Sequence, residues 1–182
     1  MDKGVDANFK RSRLAHNNTV KIVSMIQKAL NTGRAHVVEM RTIGRYIVYS
    51  LNSIIEECMK SIDNMSNVKS KGKGKIGSKG RDMYSYAMTN VKDELEDILK
   101  ELSKSIPKTY ESTILPNGYV DKTVFEELVK IDNEITSNLK LLSMYLSDRS
   151  IDSDRIDEIN SMLKEIRMHI TERINICKKL DR

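Results

Sequence analysis

Thiols are scarce in this sequence. Cys58 and Cys177 are the only two, far apart and each set on an apolar helical face. That excludes a disulfide framework and a cysteine-based zinc site, and fits buried thiols in a reducing compartment. Long apolar runs are missing too. No stretch approaches the roughly 18 consecutive apolar residues of a membrane span, and Met1 to Asp6 carry no apolar run of the signal-peptide kind. The expectation is a soluble, cytoplasmic protein with no membrane partner, with nucleoid or nuclear association left open.

Catalytic signatures are equally absent. The three histidines, His16, His36 and His169, sit beside no Cys or Asp in ligand spacing. There is no H-E-x-x-H pair, no phosphate loop of the G-x-x-x-x-G-K-[ST] type, and no Ser-His-Asp order with motif context. Gly72, Gly74 and Gly77 approach a G-x-G-x-x-G spacing, but no apolar strand precedes them. Paired acids such as Glu56-Glu57, Glu126-Glu127 and Asp157-Glu158 fall on polar helical faces. The reading is of a protein that is not an enzyme, with no catalytic residue, metal or cofactor.

What the chain does have is a basic, glycine-spaced run, Lys69-Ser-Lys-Gly-Lys-Gly-Lys-Ile-Gly-Ser-Lys-Gly-Arg81. Its cations, Lys69, Lys71, Lys73, Lys75, Lys79 and Arg81, stand on backbone that glycine keeps thin, so they could follow the phosphates of a polyanion and release its counterions. The alternative is a solvated linker. The net charge of +5 conceals an asymmetry: residues 1–82 hold 16 Lys and Arg against 7 Asp and Glu, and residues 83–182 hold 15 against 19. A basic half of net +9 thus joins an acidic half of net −4, which suggests nucleic acid (DNA or RNA) at one end and protein contact at the other. At 182 residues the chain suits one domain with an extension, or two small domains.

The apolar period sets the elements. Residues 7–14 are compatible with a short strand. Val20, Val23, Met25, Ile26 and Leu30 recur at helical spacing, giving a helix at about 18–32 with Gly33 placed as its C′ cap. Val37 to Ile43 contains β-branched residues that alternate ahead of Gly44, where the chain can change direction, and a second helix opens at Arg45. A rival parse runs one helix from about 36 to 65, because Met40, Gly44, Ile47, Leu51, Ile54, Cys58, Ile62 and Met65 also fit a heptad seam.

The order helix, Leu30-Asn31-Thr32-Gly33, strand Val37-Val38-Glu39-Met40-Arg41-Thr42-Ile43, then Gly44-Arg45-Tyr46-Ile47 opening a long helix, resembles the Alba superfamily of small nucleic-acid-binding proteins. The resemblance covers residues 7–62 by motif and 63–92 by position and charge. It implies a β-α-β-α-β-β domain over residues 1–92, usually dimeric, whose last strands form a basic hairpin that enters the DNA minor groove; Met83 to Thr89 would be the last strand, although a helix from near Asp82 could claim the same residues. The nucleic-acid surface would then comprise Lys10, Arg11, Arg13, Arg41, Arg45 and the six cations of the 69–81 run. Tyr46, Tyr49, Tyr84 and Tyr86 could stack on bases or pack against the domain.

Residues 93–182 read as an acidic helical hairpin or bundle. Val91, Leu95, Ile98, Leu99, Leu102 and Ile106 form a stripe that stops before Pro107, and Pro107 with Pro116-Asn117-Gly118 marks a loop. Asp121 or Thr123 can cap a helix carrying Val124, Leu128, Ile131, Ile135, Leu139, Leu142 and Leu146. After a break at 147–152 a final helix carries Ile156, Ile159, Leu163, Ile166, Ile170, Ile174 and Cys177. The expected fold is therefore α+β followed by an all-α extension, or alternatively a helical bundle throughout. The expected function is sequence-independent nucleic-acid binding by a homo-oligomer, with the C-terminal helices open to a protein partner; the alternative is a helical adaptor or scaffold with a disordered basic linker.

Overall fold

The computed structural model describes residues 19–71, 78–148 and 153–181, and in the helical stretches 66–71, 78–84 and 153–154 it describes the backbone. Among these residues there is no strand; two isolated bridges, Arg34 with Tyr119 and Ile114 with Val120, are the only β pairing. Five helices follow in order: α1 at residues 19–32, α2 Val37–Lys71, α3 Ser78–Ser112, α4 Lys122–Ser147 and α5 Ser153–Lys178.

The expected α+β, Alba-like domain is thereby corrected to the all-helical alternative. Val37 to Ile43 is the first part of α2, not a strand. A few β-branched residues cost only tenths of a kcal/mol each in a helix, and the heptad seam from Met40 to Met65 outweighs them. Met40, Leu51, Cys58 and Ile62 are fully buried, with Ile47 and Met65 packed beside them. Met83 to Thr89 is likewise helical, inside α3. The strand expected at 7–14 lies outside the described residues.

Gly44 does not turn the chain. A Cβ built on it would lie 2.9 Å from Cα of Pro107, so its lack of a side chain lets α2 and α3 touch backbone to backbone. Pro107 does not end α3 either, which runs on to Ser112. The missing N–H and the ring of a mid-helix proline ordinarily cost several kcal/mol, but here the surrounding stripe, Ile98, Leu102, Ile106 and Tyr110, is buried on both sides of the proline. Tertiary packing therefore carries the helix across it. The loop expected at 107–121 shrinks to 113–121.

The α1 to α2 corner is built as its residues suggest. Gly33 adopts φ +68° and its N–H reaches the carbonyl of Ala29 at 2.9 Å, closing α1 with a left-handed residue. At the start of α2 the Glu39 carboxylate accepts from the backbone N–H of His36 (3.3 Å) and from Lys28 of α1 (3.2 Å). Partial burial pushes this carboxyl up, but the His36 N–H and the Lys28 charge outweigh it and hold Glu39 below its usual range. The 113–121 loop is pinned to this corner: Val120 N–H donates to Gly33 O at 2.8 Å, and the Arg34 guanidinium lies 4.7 Å from the Tyr119 ring centroid.

Side-chain bonds give the helix directions. Arg41 with Glu111 and Lys92 with Asp63 make α2 and α3 antiparallel; Lys179 with Glu127 and Arg173 with Asp132 do the same for α4 and α5. Arg167 with Glu94 and Glu101, and Arg173 with Ser105, set α5 parallel to α3. The α2 helix in turn packs beside α4. Two antiparallel hairpins are thus stacked so that the neighbours across the stack are parallel. One hydrophobic cluster draws on α2, α3, α4 and α5, and position 92 falls within α3, with Met88 and Leu95 on either side of it in that same cluster.

Candidate functional site

The short helix α1 lies over α2 and leaves a groove toward α4, with a volume of about 830 Å³. That is within the usual size of ligand sites between helices. Ile22 and Ile26 of α1, Ile47 and Ile54 of α2 and Val129 of α4 line it. These positions are dictated by helical spacing: 22 and 26 share one face of α1, and 47 and 54 are seven apart on α2. Thr19 and Tyr46 hold the outer end together through a hydroxyl pair at 2.5 Å, while Lys28 and Glu39 hold the end nearer Gly33. Val23, Ser50, Ser53, Asn133 and Thr136 also line it, and Lys140 is the one charged residue among the described lining residues. Tyr49, 68% exposed, stands at the edge. A wide, greasy trough of this kind suits an apolar surface, and its described lining offers no acid–base pair.

A polar cluster is buried between α3, α4 and α5. Arg173 Nε donates to Asp132 Oδ1 at 2.7 Å, Tyr110 Oη donates to Asp132 Oδ2 at 2.7 Å, and Arg173 Nη1 donates to Ser105 Oγ at 3.0 Å. Burial, followed by the Asp132 charge, pushes the Tyr110 hydroxyl well above its ordinary range; burial opposes the Arg173 charge, but Asp132 outweighs it and holds the guanidinium above its usual value. Each charge has its partner, so the cluster fastens three helices.

Among the described residues, the cations expected to form one nucleic-acid face are spread along α2 and α3. Lys10, Arg11, Arg13, Lys73 and Lys75 lie outside the described residues. Arg41 is engaged with Glu111 at 2.6 Å, and Arg45 is exposed one turn further along α2. Lys69 and Lys71 end α2 while Lys79 and Arg81 open α3. At 1.5 Å per residue, Lys69 is about 40 Å along the axis from Arg41. A surface uniting both groups depended on the short strand and hairpin of an Alba-like domain, and the continuous helix draws them apart. Tyr46 packs into the groove and is bonded to Thr19, whereas Tyr86 is 71% exposed.

Sequence reasoning missed both the groove and the buried cluster. The apolar Ile22, Val23 and Ile26 on α1, which together are more than one narrow stripe needs, were a signal for the first. For the second, the only sign was charged residues, Asp132 and Arg173, next to apolar stripe positions. No helix among the described residues is long and apolar enough to cross a membrane. No protein-family model matches the chain, and no curated protein or solved structure shows significant similarity to it.

Proposed function

We propose that the chain is a non-enzymatic helical adaptor or scaffold, whose groove between α1, α2 and α4 takes the apolar face of an amphipathic helix from a protein partner. The observation that carries this reading is the groove itself: an isoleucine and valine lining within a hydroxyl and amide surround whose described residues hold one charge, Lys140. Helix-in-groove recognition uses apolar anchors at i, i+3 or i+4, and i+7. The α4 side of the groove, from Val129 to Lys140, is about 16 Å long, enough for some three turns of such a helix. Lys140 at its end favours a partner with an acidic residue beside the last anchor.

Selection from a displayed library of helical peptides tests it. The full chain should enrich sequences with that apolar spacing, and Ser50→Trp, which fills the groove, should lose them while its far-UV circular dichroism stays unchanged. Equal enrichment by both proteins, or none by either, removes the reading. Occupation of the groove by a second copy would instead appear as a concentration-dependent dimer in sedimentation that the selected peptide dissociates.

Charge density favours a second reading for the other end of the bundle. In sequence the cations from Lys69 to Arg81 run from the end of α2 into the start of α3, and Lys69 is some 15 residues along α2 from the groove residue Ile54, so binding of a nucleic-acid backbone there is compatible with an occupied groove. Neutralising all six should weaken duplex or single-strand binding and flatten the slope of log affinity against log salt by up to about 0.9 per lost phosphate contact. An unchanged slope leaves the segment as a connector.

A further inference from the structure

One turn before Arg173 on α5, α4 and α5 meet in a second cluster with different geometry. Glu134 on α4 faces His169 and Glu172 on α5. His169 Nδ1 lies 3.5 Å from a Glu134 oxygen and 3.6 Å from a Glu172 oxygen. One donor atom from each of the three residues falls in a group no more than 4.8 Å across. Nδ1 is itself shielded from solvent and makes no hydrogen bond. Charge-assisted bonds close to about 2.7–2.9 Å, as Arg173 and Asp132 do beside it at 2.7 Å; these contacts stop well short.

The longer distances have another meaning. An ion held about 2.0–2.1 Å from each donor in tetrahedral geometry spaces its ligand atoms about 3.4 Å apart, close to the two separations seen here. The two glutamate side chains are 41% and 59% exposed, so they can rotate to close the third edge and leave a coordination position facing solvent. Two carboxylates gathered at one imidazole repel each other unless a positive charge lies between them. A mixed set of one nitrogen and two oxygens suits a borderline ion such as zinc better than calcium or magnesium, which take oxygen ligands.

We propose that Glu134, His169 and Glu172 form a binding site for a divalent transition-metal ion of the zinc class, clamping α4 to α5 with one position open to solvent. The sequence shows only half of it, the His169-x-x-Glu172 pair on one helical face; Glu134 arrives through the hairpin.

Calorimetric titration of the full chain with zinc chloride in metal-free buffer at neutral pH tests the site. One equivalent should bind with a dissociation constant of micromolar or below, and saturation at about a hundred times that constant should raise the melting temperature by about 5–10 °C. His169→Gln and Glu134→Gln should each weaken binding at least tenfold. Glu172→Gln, at the most exposed of the three positions, keeps the fold and supplies the same reading if the others do not. Replacing both cysteines by serine should leave binding unchanged, and cobalt bound in place of zinc should show visible ligand-field bands without thiolate charge transfer. Absence of binding, binding indifferent to Glu134→Gln and Glu172→Gln, or binding lost with the cysteines overturns the proposal.

Discussion

Two polar clusters join α4 to α5, their α5 members His169 and Arg173 one helical turn apart, and they are finished differently. Asp132, Arg173 and Tyr110 are sealed at 2.7 Å contacts, with the two charged side chains only 2% and 3% exposed. Glu134, His169 and Glu172 stand at 3.5 to 3.6 Å in partial contact with solvent. The difference teaches where polar groups act as structure and where they remain available. A charge enclosed by the core must be answered within the chain, while a half-exposed one can wait for an ion.

The sharpest way to break that comparison is to remove one partner of the sealed pair. Asp132→Ala leaves Arg173 buried without an anion and should cost about 3–5 kcal/mol in urea denaturation, whereas Asp132→Leu with Arg173→Met should recover most of that loss. Recovery would show that the pair's weight lies in not being broken rather than in attraction.

Cys58 supplies a third case, a buried ionisable group beside Ser143 and the Glu57 charge. Burial, more than the nearby Glu57 charge, pushes its thiol up to about 11 from an ordinary 9.0. Because the folded value is the higher one, its contribution is complete below pH 9 and is lost as pH rises through about 11. Wild type should therefore lose about 2–3 kcal/mol more than Cys58→Ser between those limits, measured by denaturation at each pH. At pH 8 alkylation should mark the half-buried Cys177 long before Cys58.

The other hairpin offers a contact with no charge at all. Gly44→Ala brings a methyl group to 2.9 Å from the Pro107 backbone; the overpacking should exceed the gain in helix propensity and leave a net loss of about 1–2 kcal/mol. A stabilised variant would mean that α2 and α3 separate there without cost. The smallest effect belongs to the open cluster: without metal, His169→Gln should change stability by no more than about 0.5 kcal/mol, because no hydrogen bond is lost. A larger loss in metal-free buffer would make the two clusters alike.

Local pattern was enough to determine much of this molecule. Most of the stripes from Val91 to Ile106, Val124 to Leu146 and Ile156 to Cys177 became core, with Ile174 left 45% exposed, since a 3.6-residue period sustained over several turns leaves one solution for hiding an apolar face. Gly33 ended α1 as a left-handed residue, and Asp121 capped α4 by accepting from Val124 N–H, because both depend on backbone geometry within one turn. What lay beyond the sequence was set by distant neighbours. Whether Val37 to Ile43 joined a sheet or a helix depended on the existence of partner strands; none is found among the described residues, and the α3 and α4 faces claimed the heptad seam. Gly44 and Pro107 read as breaks in one dimension and proved to be a contact in three. The groove needed α1 to fold back over α2, and both seam clusters needed the α4–α5 hairpin to bring side chains together across some forty positions, a register that only the packed core decides.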